Sequence, residues 1–231
     1  MKVHISTNGT MVSKHVDELL SAPVEFLNVS LYGTDPESFA RLTGGKPALY
    51  DEIVAGVAQL ASRREPGRYP RLLRTSFICT TENLSRALDV IRLSKELCVD
   101  AVRLRNLYPL DIPGYSEAEC LSKDDPRARD FIAVLRQQSY PVPVSLPRLY
   151  ASSDRLQKCP LPYQKLSIGG DGCIGPCCVV GPDERWGHFL DPDVWNGPTM
   201  QAVRRSFRDR DSSLGLACST CEEMLPGRPI T

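Results

Sequence analysis

No apolar run in this 231-residue chain is long enough to cross a bilayer and no signal peptide is visible, so nothing in it signals an oxidising destination. Neither sign of charge is in excess: 28 Lys and Arg meet 28 Asp and Glu, which leaves no electrostatic footprint for a nucleic-acid binder. Local basic pairs such as Arg63-Arg64 and Arg204-Arg205 read as solvated helix faces. Histidine is scarce, and His4, His15 and His188 share no spacing that suggests a metal site or a triad. No Ser-His-Asp set, phosphate loop or carboxylate pair stands out. Gly169-Gly170-Asp171-Gly172 is glycine-rich, but no helix follows it, so it reads as a turn. The expectation is a cytoplasmic protein with no nucleic-acid and no membrane partner.

Cysteine, by contrast, is abundant. Nine thiols in a reducing compartment read as metal or redox ligands rather than a disulfide framework, and an odd number cannot all pair. Four of them near the C-terminus make a metal site: Cys159 and Cys177 flank a turn, and Cys218 and Cys221 form a Cys-Ser-Thr-Cys clamp. The step from Cys159 to Cys177 contains Asp171-Gly172, a hairpin signal that lets the chain go out and return. Four thiolates suit a [4Fe-4S] cube or a zinc ion held by four cysteines equally by spacing. Cys79, Cys98 and Cys120 read as small apolar core or surface residues.

The first 145 residues or so alternate β-branched or apolar runs with segments of helical period, the pattern of βα units on a parallel sheet. Five strands are suggested, at Val3–Ser6, Phe26–Leu31, Leu73–Ile78, Ala101–Leu104 and Val142–Ser145. Helices are expected over Val12–Leu20, Tyr50–Ser62, Asn83–Leu97 with Asn83 as N-cap, and Pro126–Gln137. Pro141, Pro143 and Pro147 mark an exit, placing a boundary near Leu146–Ser153. Beyond it, Lys165–Ile168 and Cys173-Ile174 read as a hairpin, and Met200–Arg208 as a short helix. Few large apolar residues remain there, so a metal is needed to staple that part.

His4-Ile5-Ser6-Thr7-Asn8-Gly9-Thr10 and Asn28-Val29-Ser30-Leu31-Tyr32-Gly33 resemble two strand ends in the middle of a radical SAM enzyme. Arg41-Leu42-Thr43-Gly44 resembles the arginine-glycine turn after the next helix of that family, and Thr80-Thr81-Glu82-Asn83 the turn that opens the one after it. The tail resembles the auxiliary-cluster extension called SPASM, or twitch in its single-cluster form. That extension asks for a cysteine, a glycine and then, after four residues, a second cysteine, which Cys159, Gly172 and Cys177 supply. Gly187, Asp193-Val194-Trp195-Asn196, Arg204 and the Cys218/Cys221 pair follow in family order. The glycine spacing selects Cys177 over Cys178, with Cys173 as a reserve ligand on the same strand face.

The resemblance implies an α/β fold: a partial (βα) radical SAM barrel over residues 1–146 and an auxiliary [4Fe-4S] domain over 147–231. It implies S-adenosylmethionine contacts for Ser30 at the ribose and Arg41 at the carboxylate, with Asn8 lining the same mouth. Metal ligands are Cys159, Cys177, Cys218 and Cys221. The complete family enzyme adds a second [4Fe-4S] cluster, bound by a Cys-x-x-x-Cys-x-x-Cys triplet, which reduces S-adenosylmethionine to a 5′-deoxyadenosyl radical. This chain has no such triplet and no glycine-glycine-glutamate strand end. It is therefore expected not to cleave S-adenosylmethionine alone. Either the protein begins upstream of Met1, the favoured reading, or it is a remnant that pairs with another chain. The implied role is radical oxidation or modification of a small molecule or peptide, with the auxiliary cluster passing electrons and a flavodoxin or ferredoxin as electron donor. The alternative is a non-catalytic module, held by zinc or a cluster, that partners another chain.

Overall fold

Five parallel strands in the sequential order β1-β2-β3-β4-β5 organise the first part of the chain. A computed structural model describes residues 3–107, 119–149, 161–178 and 180–209. The chain divides into two compact units, Met1–Leu107 with Leu121–Leu149, and Tyr108–Cys120 with Tyr150–Thr231.

In the first unit the strands are β1 (Val3–Thr7), β2 (Val24–Ser30), β3 (Leu72–Cys79), β4 (Ala101–Asn106) and β5 (Val144–Ser145). Between them run α1 (Val16–Ser21), α2 (Pro36–Thr43), α3 (Ala48–Arg63), α4 (Ala87–Glu96) and α5 (Pro126–Gln137). Parallel neighbours need crossover connections, and each of these helices or helix pairs supplies one. One face of the sheet is apolar: Leu27, Val29, Leu73, Phe77, Val102 and Leu104 share a core with Ile53, Val57 and Leu60 of α3, Val90 and Ile91 of α4, and Ile132 and Leu135 of α5. Burial of such side chains contributes roughly 1.5–3 kcal/mol each and is the main term holding this unit together.

Local chemistry starts α2. Asp35 accepts the Ser38 N–H at 2.7 Å while the Ser38 hydroxyl accepts the Asp35 N–H at 3.2 Å, a capping box, with Pro36 opening the helix. The Ser38 backbone bond holds the Asp35 carboxyl below the usual carboxylate range. Gly44, at φ 67°, closes the helix in the left-handed conformation.

Asn83 stands at the N-cap position of a 3-10 turn over Leu84–Arg86 that leads into α4, as expected, but its side chain makes no capping bond there: Oδ1 accepts the Thr80 N–H at 2.7 Å and Nδ2 donates to the Ile78 carbonyl at 3.0 Å, so it closes the preceding turn. A short amide side chain competes equally well for either task. The solvated reading of Arg64 also fails: its side chain is 13% exposed and paired with Asp100.

The second unit contains α6 (Leu161–Gln164), the antiparallel pair β6 (Ser167–Ile168) and β7 (Ile174–Gly175), and α7 (Pro198–Asp209). Cys120, Leu161, Ile174, Met200 and Val203 are among its buried apolar residues. Among the described residues no helix is long and apolar enough to cross a membrane.

Candidate functional site

Period-two alternation puts a second set of side chains on the sheet face opposite the apolar core. Register pairs Ser6 with Asn28, Asn28 with Arg74, Ser30 with Ser76, and Ser76 with Arg103. These polar groups bond to one another across strands. Arg74 Nε donates to Asn28 Oδ1 at 2.9 Å, Asn28 Nδ2 donates to Ser76 Oγ at 2.9 Å, and the Ser30 and Ser76 hydroxyls lie 3.5 Å apart. The Arg74 guanidinium also stacks 4.3 Å from the Phe26 ring centroid, and His4 meets that ring edge-on.

Arg103 and Arg105 stand on the same face of β4, level with Ser76 and Ile78. Burial first, then the charges of Arg103 and Arg105, pushes the Arg74 guanidinium down to about 10. Three guanidinium groups thus stand on one sheet face, one of them partly desolvated.

Asn8 directly follows β1 and is exposed, with its Oδ1 accepting from the Thr10 N–H at 3.2 Å and the Thr10 hydroxyl at 2.9 Å. Ser30 ends β2. Since β1 and β2 are parallel with Thr7 opposite Val29, Asn8 and Ser30 lie at the same, C-terminal end of the sheet, where parallel α/β sheets bind ligands. Arg41 lies in the last turn of α2 and is exposed. Tyr50 of α3 is buried, and burial together with the Asp35 and Asp51 carboxylates pushes its hydroxyl up to about 12.

Sequence reading did not single out Arg74, Ser76, Arg103 or Arg105. The signal was present: Arg74-x-Ser76 and Arg103-x-Arg105 are polar steps of two inside strands whose other face is mostly apolar, which marks a face turned to something other than core.

In the second unit, Cys177 is half-buried and its Sγ accepts the Val180 N–H at 3.4 Å, while its carbonyl accepts the Gly181 N–H at 3.0 Å. An amide aimed at sulfur supports a thiolate. Cys159, Cys218 and Cys221 lie outside the described residues. Among the described residues no group of three His, Cys, Asp or Glu could hold a metal ion. The hairpin forms as read, with Gly172 at φ 86° and a position where any side chain would run into the His188 ring. Cys177 and Cys178 follow β7 in a turn rather than a strand, so strand alternation does not sort the thiols. Cys173 bridges to His188, and burial followed by the Asp171 side chain pushes its thiol up.

Arg204 of α7 is not a solvated residue. Its Nε donates to the Pro162 carbonyl at 2.9 Å, its guanidinium lies 4.3 Å from the Trp195 ring centroid, and its Nη2 is buried without a partner among the described residues. An orphaned buried donor and a sulfur that already accepts an amide both fit an anionic, thiolate-bound centre.

No protein-family model matches the chain. Curated relatives include a probable GTP 3',8-cyclase of Methanosarcina mazei, 24% identical over 78% of this chain and 54% of that protein, and one of Sulfurisphaera tokodaii, 29% identical over 48% of this chain and 33% of that protein. The chain thus spans about half of the first relative's length and a third of the second's. Among solved structures, Streptococcus suis SuiB superposes with a TM-score of 0.61 at 17% identity, covering 87% of this chain and 50% of that one. SuiB bound to S-adenosylmethionine gives a TM-score of 0.60 at 16% identity over 87% of this chain and 49% of that one. The form bound to precursor peptide SuiA gives 0.57 at 17% identity, with the same two coverages. The mixed α/β fold with its five-stranded parallel sheet matches these neighbours.

Proposed function

From the relationship to the radical SAM superfamily that these similarities support, we propose that this chain is part of a radical SAM-type enzyme whose sheet forms one wall of a chamber for S-adenosylmethionine and an anionic substrate. The observation that carries this reading is the hydrogen-bonded run Arg74, Asn28, Ser76 and Ser30 on the face that also bears Arg103 and Arg105. Hydroxyls and amides at the C-terminal end suit a ribose, and guanidinium forks suit phosphate or carboxylate.

In this reading Ser30 and Asn8 contact the nucleoside part of S-adenosylmethionine, and Arg41 takes its carboxylate. Arg74, Arg103 and Arg105 orient the substrate by its negative charge. GTP, the substrate in the name of the curated relatives, is anionic and suits such a face better than an uncharged peptide. Cys159, Cys177, Cys218 and Cys221 hold an auxiliary [4Fe-4S] centre, which when bound supplies one-electron chemistry. Cys177 contributes a thiolate steadied by the Val180 amide.

The test has two parts. Anaerobic reconstitution with iron and sulfide should load about four irons per chain, lost in Cys177→Ala; zinc uptake instead would support a structural module. GTP binding, followed by calorimetry at low and high salt, should weaken about tenfold or more in Arg74→Met/Arg103→Met, because each phosphate contact is charge-assisted. Binding unchanged by the double substitution would overturn the anionic-substrate reading.

A further inference from the structure

Asn28 of β2 lies opposite Arg74 of β3 in the parallel register. A guanidinium can only donate, so the amide turns Oδ1 to it and accepts Nε at 2.9 Å, which leaves Nδ2 to donate to Ser76 Oγ at 2.9 Å. The amide is locked by these two bonds and by burial, with Asn28 6% and Ser76 8% exposed. Phe26, two residues earlier on the same strand, supplies a second restraint through its ring, whose centroid is 4.3 Å from the guanidinium carbon. With Nε committed and a ring against one face, the Arg74 side chain has lost on folding the rotamer freedom that an arginine otherwise loses on binding. Its two Nη groups have no hydrogen-bond partner among the described residues. An arginine kept to tie strands together would be matched by a carboxylate. Arg74 is matched instead by a neutral amide, which orients the group and leaves its charge uncancelled.

Resting on the anionic-substrate reading above, we infer that Asn28 is a positioning residue that acts through Arg74, aiming its two Nη groups as a preset fork at two oxygens of one substrate phosphate. The role is one of orientation alone, because the amide spends both its oxygen and its nitrogen within the sheet. It also accounts for arginine rather than lysine at position 74: an ammonium carries the same charge but has neither an Nε–H for the amide nor a plane for the ring.

The experiment is a calorimetric titration of the chain with GTP, comparing the parent with Asn28→Ala, Arg74→Met and the double variant. Asn28→Ala is expected to weaken binding about tenfold in the parent and less than about twofold once Arg74→Met is present, since a residue that acts only through the arginine has nothing left to position. Its affinity should also keep the parent's salt dependence, because the charge remains, whereas Arg74→Met should flatten it. Phe26→Leu leaves the buried amide intact and carries the test if Asn28→Ala does not fold: it should weaken GTP binding several-fold in the parent and leave Arg74→Met unchanged. Equal losses in the two backgrounds overturn the inference, as a residue that merely supports the fold would give them. Parent-like affinity in Arg74→Met overturns it as well. Parent-like affinity in Arg74→Met/Arg103→Met, or a parent that binds no GTP, removes the anionic-substrate reading itself, and the inference with it.

Discussion

Arg64 grips Asp100 with two parallel hydrogen bonds, Nη1 to Oδ2 at 2.6 Å and Nη2 to Oδ1 at 2.5 Å. The same guanidinium donates to the Pro70 carbonyl at 3.0 Å, and the same carboxylate accepts the Leu73 N–H at 2.7 Å. One ion pair thereby joins the end of α3, the start of β3 and the start of β4. Burial draws the Asp100 carboxyl upward, but the Arg64 hydrogen bonds and the Leu73 amide outweigh it and hold the group below its ordinary value.

Asp100→Asn should lower the unfolding free energy by about 2 kcal/mol, a figure reduced from that of a fully buried pair because Asp100 is partly exposed. A carboxylate whose folded pKa lies below its unfolded value of about 3.9 adds stability above that pH and loses it as pH falls through the folded value. Urea unfolding from neutral pH down into that acid range should show the loss in the parent and a flatter profile in the variant. Equal slopes would mean that the pair adds nothing.

Arg74, Arg103 and Arg105 predict stabilisation by polyanions. Tripolyphosphate at low salt should raise the melting temperature by a few degrees, the amount expected of a ligand well above its dissociation constant. Arg74→Met strands the buried Asn28 Oδ1 and so should melt a few degrees below the parent without the anion, and should respond less to it. A variant with the parent's full response would locate the anion elsewhere.

Gly9 combines φ 86° with a side-chain direction 2.8 Å from both Ile53 Cγ2 and Val29 Cγ1. Gly9→Ala should cost about 2–3 kcal/mol through backbone strain and overpacking. Gly44 has φ 67° but open space around it, so Gly44→Ala should cost only about 1 kcal/mol. Thermal melts of the two variants separate crowding from backbone strain, and equal losses would contradict the packing account.

Asn106 at the end of β4 spans a large sequence gap. Its Nδ2 donates to the Leu121 and Arg148 carbonyls, each at 2.8 Å, and its Oδ1 accepts the Leu121 N–H at 2.8 Å. Asn106→Ala takes the partner from three backbone groups, two of them buried, and should destabilise the first unit by about 2–3 kcal/mol. Hydrogen exchange at the Leu121 amide is the sharper measurement, because its protection should fall further than that of the core strands.

The βα order was legible because its signal is redundant: Val29, Leu73, Phe77 and Leu104 each sit in a β-branched or apolar run, and α5 runs from Pro126 to Gln137 as its cap and period foretell. The hairpin was legible from its turn residues. Helix α2 entered only through the Arg41–Gly44 turn that ends it, because a helix from Pro36 to Thr43 is too short to repeat an apolar pattern more than once. The basic face was hidden for another reason. Arg74 and Arg103 come from different strands, and only the parallel register makes them neighbours. Arg64 and Arg204 resembled ordinary helix-end cations, and burial is a property of tertiary packing that no local window contains.

The stacking of Arg204 on Trp195 has an optical counterpart. The chain's two tryptophans are Trp186 and Trp195, both in the second unit, and each lies beneath an arginine, Arg185 at 5.0 Å and Arg204 at 4.3 Å. Indole emission is therefore silent about the parallel sheet and reports on the cysteine-rich unit alone. Followed beside far-ultraviolet dichroism, which the helices and strands of the first unit dominate, it makes the chain its own two-channel instrument.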